Sequence, residues 1–334
     1  MTTTRPTPGQ LERFARPLLG GLVLLVALIG LIGSAISDPR PHDIPVGLVG
    51  PDAAVQRLTG AFASAAPGAF QFTSYPSEEA GRAALDSRSV DGLLLLGPAG
   101  SRLVVAGAAG DGVTGVMTAA FTNVSRGQGG DLTVETVHPF ASGDPHGLIL
   151  FFVVVAIVIA TLATQVLLGI ARGTAGFGTR LAVAIVFAGL AAPIGMGTAA
   201  WIAGGFGPGF WQATGLVALA SLAVGVVVAG CVRLLGAPGL ALAVLVVVLL
   251  DLVSSGGPVG PRLLPDFYRW LAGGMPAGQL YDALRGSLYF GGASIGNAVL
   301  VLLAWLAGGL ILLLLGEVVY RRAQAPALAA SAAR

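Results

Sequence analysis

The sequence predicts an α-helical polytopic membrane protein with about six transmembrane helices and an α/β extracytoplasmic domain inserted between helices 1 and 2. Three observations carry this. Hydrophobic residues make up 55% of the 334, and mean hydropathy is +0.85. All 18 basic residues are arginines, and they flank the long apolar runs instead of entering them. Between residues 38 and 146 the apolar runs shrink to strand length. A composition of this kind belongs to chains that use the bilayer as solvent.

A hydrocarbon core of about 30 Å takes roughly 20 helical residues. Runs of that kind cover residues 17–37, 147–171, 181–204, 211–232, 240–255 and 295–320. The fifth is short and carries Asp251. Retained basic residues mark the cytoplasmic side. Arg5, Arg13 and Arg16 precede the first run, and six crossings then bring Arg172, Arg180, Arg233, Arg321, Arg322 and Arg334 to the same side. Nine arginines gather there against Glu12 and Glu317, whereas residues 38–146 hold six arginines against eleven acids. The division that follows is a cytoplasmic N-terminus (1–16), a first helix (17–37), an outer domain (38–146), a membrane domain (147–320) and a cytoplasmic tail (321–334). A basic lead and the small residues Ser34, Ala35 and Ser37 also fit a cleaved signal peptide. The apolar run exceeds the usual signal core of about 7–15 residues, which favours an uncleaved anchor. Residues 9–16 are a weak candidate for a short helix lying on the inner membrane surface, with Leu11 and Phe14 as its large apolar residues.

In the outer domain, residues 44–50, 69–75, 92–96, 103–106 and 132–137 read as strands by their short apolar runs. Helices are expected at 52–65, opened by a capping Asp52, at 77–87, opened by a capping Ser77, and at 113–123. A turn through Gly97, Pro98 and Gly100 joins the third and fourth strands. About 100 residues suffice for a core of its own.

Chemistry is easier to exclude than to find. Gly110-Asp111-Gly112-Val113-Thr114-Gly115 has dinucleotide-fingerprint spacing, with Glu135 where a ribose ligand would stand. With 51 glycines in the chain such spacing arises by chance, and a glycine-rich turn before a helix is the preferred reading. His42, His138 and His146 lie on the two stems of the domain with Asp38, Asp43 and Asp144 nearby. They would make a proton-sensitive or metal-binding cluster if the stems met, although their spacing matches no strong metal motif and solvated stem residues are preferred. Cys231 is the single cysteine, so no intrachain disulfide forms. A Walker loop needs a lysine, and the chain has none. No catalytic, cofactor or metal residues are assigned, no nucleic-acid partner is expected, and ATP would enter only through a partner subunit.

Polar residues inside the apolar runs are the candidates for a transport path or for helix contacts: Asp251, Gln165 and Asn297. Asp251 stands five residues before Gly256, close enough to the outer boundary to reach headgroups. Pro193, with Gly195 and Gly197 after it, is a candidate hinge. Gly169 with Gly173 and Gly292 with Gly296 are spaced for close helix approach. Residues 256–294 form neither a loop nor a span. Pro265 and Pro276 each open a short helix there, and Trp270 and Arg285 suit headgroup depth, which predicts an interfacial or re-entrant helical pair at the outer face.

An N-terminal anchor, an outer domain beginning Ile44-Pro45-Val46-Gly47-Leu48-Val49, and Ser77-Glu78-Glu79-Ala80 ahead of Asp91-Gly92-Leu93-Leu94 resemble the type-2 ABC exporter permeases. The stem His138-Pro139-Phe140 through Asp144-Pro145-His146-Gly147, and the stretch from Leu264-Pro265 to Arg285, are similar to the phage-infection-protein-like branch of that superfamily. The resemblance implies a bacterial plasma-membrane export permease, a homodimer, with a separate ATPase contacted through residues 9–16 and through Arg172 and Arg180. Members of that branch need not have an ATPase partner, and the 172–180 connection lacks an amphipathic coupling helix. The expected substrate is amphiphilic or lipid-like. The alternative is a non-transporting scaffold or receptor whose outer domain binds an envelope component, ligand or phage.

Overall fold

The computed structural model describes residues 8–37, 39–97, 100–127, 129–171 and 175–332. Asp38, Pro98, Arg172 and Gly173 lie outside the described residues. Among the described residues six helices are long and apolar enough to cross a bilayer, and a separate α/β region lies between the first and second of them. The protein is therefore a multi-pass helical membrane protein.

Helix α1 (Pro8–Ile36) is continuous, so residues 9–16 are not a separate surface helix. Leu11, Glu12, Arg13 and Ala15 are good helix formers, and the helix continues through Pro17 into the apolar run. The remaining spans are α5 (Leu148–Ala171), α6 (Phe177–Ala203), α7 (Phe210–Leu235), the composite run Ala237–Ser254, and the first 30 residues of α12 (Gly296–Ala332). The composite run contains α8 (Ala237–Ala243), a π-helical segment (Val244–Leu250) and α9 (Asp251–Ser254).

Burial ranks the spans. Two-thirds (67%) of the most apolar window of α7 is enclosed by the protein, against 6% for α1, so α7 is the central helix and α1 a peripheral one. Small residues seat α12 on α7. A Cβ at Gly309 would stand 2.7 Å from the Val227 nitrogen, and one at Gly230 would stand 2.7 Å from Leu312 Cβ. Gly169 and Gly296 have no such neighbour, and Gly292 abuts only the Gln212 side chain. The close helix approach therefore uses different glycines from those the three-residue spacing singled out. Spacing identifies small residues, but only packing selects which of them meet a facing backbone.

The α/β region is a five-stranded mixed sheet of order β2-β1-β3-β4-β5. Its strands are β1 (Ile44–Val49), β2 (Phe70–Ser74), β3 (Gly92–Gly97), β4 (Gly100–Ala106) and β5 (Leu132–Val137). Strand β1 pairs in parallel with β2 and β3, β3 and β4 form an antiparallel hairpin, and β5 runs parallel to β4. Helices α2 (Asp52–Ala65), α3 (Glu78–Asp86) and α4 (Asp111–Gly127) make the crossovers. Ser77 caps α3 by accepting the Ala80 N–H at 3.2 Å. Asp52 does not cap α2; Pro51 holds that position without a side-chain bond, and Asp52 is the first helical residue. Proline's fixed φ starts the turn without a capping side chain, and an acid in the first turn still favours the helix dipole.

One sheet face buries Val113, Met117 and Phe121, a helical i, i+4, i+8 stripe of α4, against Phe62 of α2. Phe62 and Phe121 are 3% and 2% exposed, each contributing about 2 kcal/mol through burial. The core does not stop at the sequence boundary of the region. Leu263 joins this cluster, and Phe290 joins the cluster on the other face with Val104 and Leu85. Residues 256–294 thus complete both faces of the sheet.

Candidate functional site

The predicted helical pair is present: α10 (Asp266–Ala272) follows Pro265, and α11 (Pro276–Tyr289) begins at Pro276. Proline suits both starts because the N–H it lacks would have no intrahelical acceptor there. Tyr268 ties α10 to the end of α1 through Ser34 Oγ at 2.7 Å and the Leu31 carbonyl at 3.1 Å. Trp270 stands 76% exposed on α10. Helix α11 is sandwiched: Tyr281 donates to the Gly147 carbonyl at the start of α5, and Arg285 donates to the Ala109 carbonyl just before α4.

Between the α/β region and helices α10 and α11 lies a cavity of about 620 Å³. Four arginines (Arg88, Arg262, Arg269, Arg285) and four aspartates (Asp43, Asp91, Asp266, Asp282) line it, together with His42. Asp282 is the hub of one side, taking Arg88 Nη2 at 2.5 Å and Arg285 Nη2 at 2.8 Å. Burial opposes its charge, but the two guanidiniums outweigh it and hold the carboxyl below its ordinary value. Asp91 is pushed the other way: desolvation raises it against the pull of Arg262, Arg285 and Arg88. Its Arg262 contact is long, 3.5 Å. On the far wall Arg269 reaches Asp266 at 3.0 Å and Asp43 at 3.7 Å.

These pairings dock the two regions, and the glycine-rich stretch takes part. Gly112 N–H donates to the Pro258 carbonyl at 3.3 Å, and a Cβ at Gly112 would overlap the Val259 carbonyl oxygen. The fingerprint spacing therefore serves close backbone approach. Glu135, the residue at ribose-ligand distance, is bound by Arg82 and Arg102. The histidines do not gather. His138 pairs with Asp86 at 2.7 Å, His146 with Asp111 at 3.1 Å, and His42 stands 4.0 Å from Asp266. Strands β1 and β5, which end the stems, are separated by β3 and β4. Among the described residues no group of three or more potential ligands could hold a metal ion.

The three polar candidates within the spans make no hydrogen bond with one another. Asp251 is fully buried and does not extend to headgroups. Its Oδ1 accepts the Ala277 N–H at 2.8 Å, satisfying the first turn of α11, while Oδ2 has no partner. The π-helical segment just before it shifts the helix face, with the Asp251 N–H reaching back to the Val246 carbonyl. Gln165 is 1% exposed on α5 with an unpartnered Oε1. Asn297 is exposed at the start of α12 and donates to Gln279 Oε1 at 2.9 Å, on the cavity wall. Pro193 is exposed on the outside of α6, which continues through it. Arg180 is 3% exposed and bonds the Ala175 carbonyl, so it is turned into the bundle.

A second depression, about 430 Å³ and almost wholly apolar, runs between α7, the composite span and α12. Val227, Val247 and Leu312 floor it, and its rim at Leu242, Ala304 and Gly308 is exposed on the bilayer-facing surface. Trp305 connects the two spaces. Its ring lines the groove while Nε1–H donates to the Gly274 carbonyl at 2.7 Å, next to Gly273 of the cavity wall.

Sequence reasoning missed Arg88, Asp91, Arg262, Asp282 and Trp305. One signal was available: Arg262, Arg269 and Arg285 are the arginines that fall neither in the α/β region nor at the basic end of the spans. Compared with the known protein families, the curated proteins and the solved structures, the chain matches none.

Proposed function

We propose that this chain is the membrane subunit of a bacterial plasma-membrane exporter that moves an amphiphilic, lipid-like compound, working as a homodimer with a separate ATPase. The resemblance to type-2 ABC exporter permeases belongs to this proposal. In it the α/β domain is extracytoplasmic and both termini are cytoplasmic, which the arginine asymmetry supports. The observation that carries the reading is the adjacency of an apolar groove open to lipid and a charged cavity beneath the domain, with Trp305 between them. An amphiphile has one part that dissolves in each. The groove offers its chain an apolar wall within the spans, and the cavity offers its polar end charged partners.

Purification from native membranes in mild detergent, followed by reconstitution into vesicles, tests this. The expected result is a stoichiometric nucleotide-binding subunit and ATP-dependent movement of a fluorescent lipid between leaflets. Gly308→Phe should lower that movement at least tenfold while leaving the protein folded, because a side chain at Gly308 meets no atom within 4 Å and projects beside the groove. Recovery of self-associated protein or envelope components without lipid movement would assign the chain to the scaffold or receptor class.

A further inference from the structure

We infer that the cavity beneath the α/β region binds a phosphodiester oxyanion, the headgroup of the amphiphile. This deepens the transport reading and rests on it only for the chain attached to the headgroup. Three buried nitrogens of cavity-lining side chains have no hydrogen-bond partner among the described residues: Arg285 Nε, Arg269 Nε and His42 Nδ1. Arg285 is itself 6% exposed. Arginine N–H groups can only donate, so the shortfall at Arg269 and Arg285 is of acceptors.

The acids present do not make good the shortfall. Asp282 is occupied by Arg88 and Arg285. Asp43 and Asp266 are 67% and 85% exposed, and their contacts to Arg269 and His42 include separations of 3.7 and 4.0 Å, too long for hydrogen bonds. Asp91 holds Arg262 only at 3.5 Å. Arg262 also donates to the Asp43 carbonyl at 2.7 Å and Arg269 to Asp266 at 3.0 Å, both at exposed positions, so the carboxylates that face Arg262, Arg269 and His42 are solvated or distant, and an incoming oxyanion can replace them at small cost. The planar guanidinium fork matches the paired oxygens of a phosphodiester better than a point charge does. Depth agrees: Trp270 and Phe267 on α10 are exposed, as aromatic side chains are at the level of headgroups. The same chemistry would accept free phosphate, so the source has to be distinguished by experiment.

Native mass spectrometry of the full-length protein in mild detergent, titrated with phosphatidylglycerol, diacylglycerol or inorganic phosphate, makes that distinction. Phosphatidylglycerol should bind at least tenfold more tightly than diacylglycerol. Arg262→Gln combined with Arg269→Gln should erase that preference, while Arg57→Gln on the exposed face of α2 keeps it. Competition by millimolar phosphate would support an oxyanion site and assign it to the free anion, and its absence would support the lipid headgroup. Equal binding of phosphatidylglycerol and diacylglycerol, with no phosphate binding, would overturn the inference. Hydrogen exchange on the unmodified protein removes dependence on variant folding: phosphatidylglycerol, and not diacylglycerol, should protect residues 261–272. Unchanged exchange there would likewise overturn it. Binding without lipid movement would sink the transport reading and leave this site standing. Movement without binding would do the reverse.

Discussion

The two charged clusters at opposite ends of the spans are built from similar residues and do different work. At the end away from the α/β region, Glu317 of α12 accepts from Arg233 Nη2 at 2.9 Å, Arg321 Nε at 2.8 Å and the Phe177 N–H at 3.2 Å, and Arg233 lies over the Tyr320 ring. One acid thereby ties α7, α6 and α12 together, with Arg233 only 5% exposed. At the other end the cavity has equal numbers of arginines and aspartates, yet three of its contacts stand at 3.5 to 4.0 Å, two of its acids are mostly solvated, and donors are left over. Glu317 closes its hydrogen bonds within the cluster, although Nη1 of nearby Arg180 is left without a partner among the described residues. The donors left open at the cavity suit the oxyanion inferred above.

Removing one acid from each end would sharpen that contrast most. Glu317→Gln leaves a buried guanidinium without its countercharge and should cost about 3 kcal/mol. Asp266→Asn at the cavity rim should change stability by less than about 0.5 kcal/mol. Unfolding in mixed detergent micelles measures both, and equal costs would break the comparison. Asp251 tests an intermediate case, an acid that is buried yet has a single partner. Asp251→Ala removes the acceptor at the start of α11 and should cost about 1 kcal/mol. Asp251→Asn keeps an oxygen there and should cost less; a larger loss for the asparagine variant would show that the charge, not the cap, matters.

The smallest effect concerns pH. Asp282 has a depressed value, so its contribution is present above the ordinary carboxylate range of about 3.9 and is lost as pH falls through the depressed value. Asp91 has a raised value, so its contribution has the opposite sign: full below the ordinary range and lost as pH rises through the raised value. Docking of the α/β region, followed by hydrogen exchange, should therefore weaken only on strong acidification. Asp282→Asn should abolish that acid-side loss, and Asp91→Asn should leave docking at neutral pH unchanged or firmer. An unaltered acid profile in the Asp282 variant would show that other groups control docking.

Elements with their own periodicity are legible in the amino-acid sequence. The strand over residues 132–137 and the helix over 52–65 have their expected bounds, because short apolar runs and helical spacing act within a few residues. The short fifth run, read as 240–255, extends to Ala237–Ser254 because Pro238 is tolerated in a first turn. The candidate site is only partly legible. Arg285, Pro265, Trp270 and Pro276 stand out through local aromatic, proline and charge signals, and all belong to the segment that walls the cavity or supports it. Their partners do not stand out: Arg88 and Asp282 are 194 positions apart, and nothing in the composition around Arg88 distinguishes it from a solvated helix end.

Hydropathy, arginine placement and short-range periodicity, all properties of neighbouring residues in one chain, were enough for the spans and for the order of strands and helices along the sequence. Tertiary structure alone determined that Gly110–Gly112 is a docking surface and not a phosphate cradle, that Asp251 ends against α11, that the histidines stay apart, and that Gly230 and Gly309 are the glycines that meet. Each depends on which distant backbone comes within a few ångströms. That is set by how whole helices and the sheet fill space together, a condition that no local pattern records.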